Sequence, residues 1–164
     1  MRRIQIIDLD GCIADDRHRR KHIDPALAQN RHPSVLEARD AMWDRYHKEC
    51  FLDPLANIDK IVERQVVVLT GRPLRHYEAT RMWLTEVAYI SPLYIIMRNN
   101  QDHSPSVDLK RRMVYGLLDA NSYGVHRDEL VLAIDDRSDV VEMYKAEFDL
   151  NAHIVRIGDE HEHG

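Results

Sequence analysis

Cysteine is scarce in this chain of 164 residues: only Cys12 and Cys50 occur, too few and too far apart for a disulfide framework or a zinc site. Long apolar runs are missing too. None approaches the roughly 20 residues of a membrane span, and the apolar stretch within "MRRIQIIDLD" is too short for a signal peptide and is broken by acids. A cytoplasmic protein without a membrane partner is expected. Positive charge is not in surplus either: 23 Lys and Arg against 28 Asp and Glu leave a net charge of −5 with His neutral. No global field draws in nucleic acid, so such binding has to rest on a local patch. Repeats, low-complexity tracts and linkers are absent, which points to one domain over residues 1–164 with a sizeable core. The polar end "GDEHEHG" is expected to fray, and His161 and His163 there could offer only weak metal binding.

What the chain does contain is a regular alternation. Five β-rich runs stand between turn residues: "IQII" (4–7), "QVVVL" (65–69), "LYIIM" (93–97), "LVLAI" (130–134) and "AHIVRI" (152–157). Most are continuously apolar, as in strands covered on both faces of a parallel sheet. Helical patterns lie between them. Residues 33–50 carry Val35, Ala38, Met42 and Tyr46 near helical spacing, with Trp43 beside them; residues 74–88 carry Tyr77, Thr80, Met82, Trp83 and Val87. Residues 105–120 start at Pro105, a good first-turn residue, and residues 137–148 follow the fourth strand. The pattern predicts an α/β protein of three layers with a mainly parallel five-stranded sheet. The gap after the first strand is too long for one crossover, so residues of about 13–60 are expected to form a small helical insertion or cap beside the site.

Ligands in such folds sit beyond the carboxyl ends of the strands. The first strand ends in Asp8-Leu9-Asp10-Gly11, the second in Thr70-Gly71-Arg72-Pro73 and the fourth in Asp135-Asp136-Arg137; Lys110 falls early in the helix after the third. Each has an ordinary reading: loop acids, a turn before a helix, a solvated lysine, acids serving a helix N-terminus. Their coincidence in order at strand ends is chemical. Converging carboxylates call for a hard divalent cation such as Mg²⁺, which leaves positions open for phosphate. Lys110 and Thr70 supply charge and hydrogen bonds to phosphate oxygens. Gly11 permits a sharp turn that could aim backbone N–H groups at the same phosphate. An Asp carboxylate can then attack phosphorus. Receiver domains use the same residue types, but there the acidic pair comes first, the acceptor mid-chain and the lysine last; here the order is D-x-D, Thr, Lys, Asp-Asp.

That order resembles the haloacid dehalogenase (HAD) superfamily of phosphotransferases over nearly the whole chain. In detail "LAIDDRSDVVEMY" (132–144), "YEATRMWL" (77–84) and "MRNNQDHSPSVDLK" (97–110) are similar to the 3′-phosphatase domain of phage polynucleotide kinase/phosphatases. The last stretch matches that family's pattern at Met97, Arg98, Asp102, Pro105 and Lys110 and departs from it at Ser104 and Ser106, where an Arg and an Asp are expected. Cys12 stands where the superfamily usually has Thr. The resemblance implies a Rossmann-like HAD fold, with Asp8 as nucleophile and Asp10 as general acid and then base. It implies that Thr70, Lys110, Gly71, Arg72 and Arg98 bind the phosphoryl group or substrate. Mg²⁺ would be held by Asp8, the backbone carbonyl of Asp10, Asp135 and Asp136. No G-x-x-x-x-G-K-[ST] is present, so the kinase half of those enzymes is not in this sequence.

The substrate this implies is a phosphorylated nucleic-acid end, with a 3′-phosphate favoured and a place in nucleic-acid repair; the alternative is a nucleotide or small-metabolite phosphatase. A non-catalytic nucleic-acid-binding module is the third reading, and the filled catalytic positions speak against it. No obligate protein partner is evident. The cluster "RHRRKH" (17–22), with Arg17 foremost, either meets a phosphodiester backbone or forms a solvated face. Trp43 and Tyr46 either stack on a base or, the favoured reading, belong to the core of the insertion. Asp15 and Asp16 are set aside as loop residues.

Overall fold

The computed structural model describes residues 1–158, and the candidate metal-binding histidines His161 and His163 lie outside them. Its centre is a parallel sheet of β1 (Ile4–Ile7), β2 (Gln65–Pro73), β3 (Tyr94–Arg98), β4 (Leu130–Asp135) and β5 (Ala152–Ile154), in the order β3-β2-β1-β4-β5. Ile7 is in register with Val68 on one side and Ile134 on the other. The residues that follow β1 therefore emerge between the ends of β2 and β4, and the acidic and Thr-Gly-Arg segments share one rim. The fifth strand is shorter than its apolar pattern, which runs on to Ile157.

Side-chain alternation makes two cores, one on each face of the sheet. Ile4 and Ile6 join Val67 and Leu69 under Leu109, Met113, Val114 and Leu117 of α4 (Ser106–Leu118) and under Val140 and Tyr144 of α5 (Ser138–Phe148). Ile7, Val66 and Val68 pack with Trp83 and Leu84 of α3 (Tyr77–Glu86) on the other face. Within α3 the buried residues are Thr80, Trp83 and Leu84, while Tyr77 and Met82 stay exposed, because only one stripe of the helix meets the sheet. Pro105 occupies the N-cap of α4 rather than its first turn.

The long excursion between β1 and β2 is helical, as expected, in short pieces. A 3₁₀ turn spans Arg17–His22, α1 spans Pro25–Gln29, α2 spans Leu36–His47, and further 3₁₀ turns flank α2. Asp24 caps α1 by accepting from the N–H of Ala26 (3.0 Å), with Pro25 in the first turn. The two ends of the excursion are zipped together: Asp15 N–H donates to Pro54 O and Ala56 N–H to Ile13 O, both at 2.9 Å, with Ala14 bridged antiparallel to Leu55. Only residues 16–53 therefore stand free of the sheet. Its return is pinned by the buried Gln5, whose amide donates to Lys60 O (2.9 Å) and accepts from Val62 N–H (2.9 Å).

In α2 the spacing expected Val35, Ala38, Met42 and Tyr46 inward. The buried residues are Arg39, Met42, Tyr46 and His47, and Ala38 is exposed. A helix that buries an arginine and a histidine is walling a polar cleft rather than covering an apolar core.

Candidate active site

Beyond β1 the chain turns within one residue: the carbonyl of Leu9 accepts from the N–H groups of Cys12, Ile13 and Ala14. Gly11 takes φ +77°, a left-handed conformation that favours glycine, and a Cβ there would lie 2.7 Å from Asp136 Oδ2. Its N–H does not face the cleft as expected; it donates to Ala14 O at 3.1 Å. Cys12 is fully buried in this turn, and burial together with the charge of Asp8 pushes its thiol pKa up, so it is inert packing.

Asp8, Asp135 and Asp136 each offer a carboxylate oxygen, all within 4.8 Å of one another. Lys110 on α4 reaches into this group, 2.9 Å from Asp8 Oδ1 and 2.8 Å from Asp135 Oδ2. The lysine is buried and would lose its proton to desolvation, but Asp135 and Asp8 raise its pKa well above the usual value. One ammonium does not neutralise three acids. Burial and mutual repulsion push the pKa values of Asp8 and Asp136 upward as a pair, so the two retain a proton between them. A cluster of hard oxygen donors with a deficit of positive charge fits a divalent cation such as Mg²⁺. Thr70 is buried at the bend of β2, its Oγ1 accepting from Arg72 N–H at 3.2 Å, with the cleft beside it.

Asp10, two residues from Asp8, has opposite surroundings. Its Oδ1 accepts from Arg19 Nη2 (2.6 Å) and from Arg72 Nε (3.0 Å) and Nη2 (2.6 Å). Burial would raise its pKa, but the charges of Arg72 and Arg19 prevail and hold it well below the usual carboxylate range. Its side chain is thus not among the grouped metal donors; only its backbone carbonyl is left for that role. Arg72, expected at the substrate, is fully buried behind Asp10 and also donates to Thr80 Oγ1 at 3.1 Å. The register break of β2 between Thr70 and Pro73 goes with this placement. Arg19 is equally buried, bound to Asp53 through Nε (2.7 Å) and Nη2 (2.5 Å), with its guanidinium 4.2 Å over the Tyr46 ring. His47 approaches Asp10 at 3.8 Å, but burial pushes its pKa well down and leaves it neutral, so this is no ion pair.

The basic cluster therefore divides. Arg17 pairs with Asp15 (2.7 Å) and is not on the cleft. Arg19 is an internal brace, and Arg20 lines the cleft while bonded to Asp16 (2.9 Å). Asp16, read from sequence as loop, is buried and also accepts from the Tyr46 hydroxyl. Tyr46 is a core residue, whereas Trp43 is half-buried and lines the cleft. Gly71 lines it as well, and Arg98 stands on its wall, donating to the carbonyls of Gly71 (3.0 Å) and Ser104 (2.7 Å). Ser104, where an arginine was expected, bonds the Asp102 carboxylate at 2.5 Å, and Arg112 of α4 reaches that same carboxylate at 2.8 Å. Ser106 begins α4 at the cleft without an acid to offer.

The cleft is about 720 Å³, with the three acids on its floor and Arg20, Arg31, Arg39, Arg75, Arg98 and Arg137 around it. Sequence reasoning missed Arg31, Arg39, Arg75, Asp53 and His47. They are isolated in sequence, and no local pattern marks them; only the low apolar content of α2 hints that its inner face is polar.

No protein of curated function matches this sequence. Solved structures match its fold. A chain in the structure of the Pnkp1/Rnl/Hen1 RNA repair complex is 20% identical, with a TM-score of 0.63 over 97% of this chain and 44% of that one. This chain thus spans less than half of that relative's length. A putative phosphatase from Clostridium difficile is 13% identical, with a TM-score of 0.59 over 92% of this chain and 83% of its own. A predicted HAD-like family hydrolase from Porphyromonas gingivalis is 15% identical, with a TM-score of 0.52 over 98% and 94%. None of these matches marks the chain as phage-like. The family profile described as "Polynucleotide kinase PNKP phosphatase domain" covers residues 2–159. The chain belongs to that family, as a phosphatase domain of the HAD type.

Proposed function

We propose that this domain is a Mg²⁺-dependent phosphomonoesterase that removes 3′-phosphates from nucleic-acid ends through an aspartyl-phosphate. The observation that carries the reading is a buried carboxylate, Asp8, held by Lys110 beside Asp135 and Asp136 on the floor of an arginine-lined cleft. When bound by Asp8, Asp135, Asp136 and the Asp10 carbonyl, Mg²⁺ would supply the charge that lets an anionic nucleophile meet an anionic phosphate. An Asp8 oxygen forms a bond to phosphorus as the bond to the 3′-oxygen breaks. The leaving alkoxide takes a proton from Asp10. Water then attacks the phosphorus of the aspartyl-phosphate, giving its proton to Asp10, and inorganic phosphate leaves with Asp8 restored. Lys110 and Thr70 stabilise the charge on the non-bridging oxygens.

Asp10 is ionised in the resting site, which suits the second step, where it accepts a proton. For the first step it has to be protonated. A phosphate dianion arriving beside it supplies the repulsion that raises its pKa. Arg19 and Arg72 thus act by positioning Asp10 and tuning its charge rather than by touching substrate.

The nucleotide or small-metabolite alternative draws support from the cleft mouth, where Arg31 donates to His103 O and His103 meets Asp40 at 2.9 Å, joining the insertion to the loop after β3. The test is phosphate release, with Mg²⁺, from a 3′-phosphorylated oligonucleotide, a 5′-phosphorylated oligonucleotide and nucleoside monophosphates. Turnover of the 3′-phosphorylated strand should lead. Rapid turnover of mononucleotides with none on the strand would reject the nucleic-acid reading.

A further inference from the structure

Arg39 is only 5% exposed, yet its guanidinium has a single protein partner, the carbonyl of Ala28 at 3.1 Å from Nη2. Its Nε and Nη1 find none among the described residues. Buried donors of a charged group left without an acceptor are costly, and native structures rarely keep them unless a ligand or water completes them. Arg39 lines the same cleft as Asp8. Two more guanidiniums stand on that wall and spend their hydrogen bonds on carbonyls: Arg31 on His103 O, and Arg98 on Gly71, Asp102 and Ser104.

The nearby carboxylates are engaged elsewhere. Asp40 bonds His103 at 2.9 Å; the Asp102 carboxylate bonds Arg112 at 2.8 Å and comes no closer to the Arg98 guanidinium than 4.0 Å. Burial first, and then the charge of Arg31, push the pKa of Arg39 down; burial does the same to Arg98, where Arg31 and Arg39 add to it against the pull of Asp102. Guanidiniums do not shed their protons at such sites. What relieves three of them crowded together is an anion.

We propose that Arg31, Arg39 and Arg98 form a second anion subsite, which takes the internucleotide phosphate next to the phosphate that Asp8 attacks. The inference rests on the phosphatase reading and adds a strand to it. A lone terminal phosphate at Asp8 would leave this wall unfilled, whereas a nucleic-acid strand presents a second phosphate one nucleotide away. Trp43, half-buried on the same cleft and stacked on His47 on one side, is the aromatic ring that a base between them could meet.

The test compares thymidine 3′-monophosphate, thymidine 3′,5′-bisphosphate and a 3′-phosphorylated dithymidylate by phosphate release with Mg²⁺. The bisphosphate and the dinucleotide should exceed the monophosphate in kcat/KM by roughly tenfold or more, the size of one charge-assisted hydrogen bond. That preference should shrink to about twofold in Arg39→Gln and in Arg31→Gln. Arg31 is exposed, so its variant keeps the test alive if the buried Arg39 variant fails to fold. Equal kcat/KM for all three substrates, or a preference kept by the variants, overturns the subsite. A gain with the bisphosphate that is absent with the dinucleotide also overturns it, because the wall would then take a terminal phosphate and not a strand. If no substrate is turned over, the phosphatase reading fails, and calorimetric binding of the bisphosphate decides: affinity lowered about tenfold by Arg31→Gln supports the subsite, and unchanged affinity overturns it.

Discussion

The floor of the cleft and its insertion-side wall carry opposite charge, and each is incomplete in the sense the other requires. At the floor, three acids share one lysine and hold back a proton. On the wall, guanidiniums lean on carbonyls, and Arg39 keeps two donors without partners among the described residues. A site that had settled its own charges would bind little. This one is short of a cation below and an anion beside it, which is the pair a metal-assisted phosphatase brings together on its substrate. Between the two regions lies Asp10, whose charge is fully met by Arg19 and Arg72.

The largest effect should come from breaking the floor. Asp8→Asn removes the proposed nucleophile, and phosphate release should fall by about 10⁴-fold or more. Retention of more than a hundredth of the activity would remove Asp8 from that role. Next comes the brace between floor and wall. Arg19→Ala strips buried Asp53 of its two-point partner, leaving it His18 at 2.8 Å and Arg72 at 3.4 Å, and denaturant titration should show a loss of about 3 kcal/mol. A loss below one kcal/mol would mean that Arg19 is not the brace.

A smaller change sharpens the contrast from the floor alone. In Gly11→Ala a Cβ meets Asp136 at 2.7 Å, and an alanine held at positive φ costs about 1–2 kcal/mol. The Mg²⁺ concentration for half-maximal activity should rise together with this loss of stability.

The smallest effect is thermal. Asp8 and Asp136 have raised pKa values in the folded chain and values near 4 when unfolded, about 3.9 for an ordinary Asp. Above that pH the unfolded chain has shed protons that the folded one retains, so their contribution worsens as pH rises through the raised values. Mg²⁺ removes the repulsion. Melting scans should therefore show a larger Mg²⁺ stabilisation at pH 8 than at pH 5, by about 2–4 °C or more. Equal shifts at the two pH values would place the cation elsewhere.

The floor was legible because strands fix it. Asp8, Thr70 and Asp135 each follow an apolar run by one residue, and Lys110 lies one turn into the next helix, so residue type and order carried the chemistry. The wall was not. Arg39 sits in a helix whose spacing put Ala38 inward, and only the polar cleft reverses that preference. Arg72 shows the limit at the rim itself. Its place in Thr-Gly-Arg put it at the phosphate or substrate, but its direction depends on Asp10, Thr80 and the register break in β2, none of which spacing reveals. "RHRRKH" looked like one patch and is three environments, because the 3₁₀ turn points successive arginines in different directions.

The zipped base of the insertion has a consequence for engineering and for descent. Residues 13–15 and 54–57 lie side by side, so the segment 16–53 leaves and re-enters the sheet through one closed stem. Such a segment can be exchanged as a cassette with little strain on the strands beneath. The exchange carries one condition. Arg19 and Asp53 travel within the cassette while Arg72 stays with β2, so a replacement that lacks them leaves Asp10 one guanidinium instead of two, and a lineage that trades the insertion trades that second partner with it.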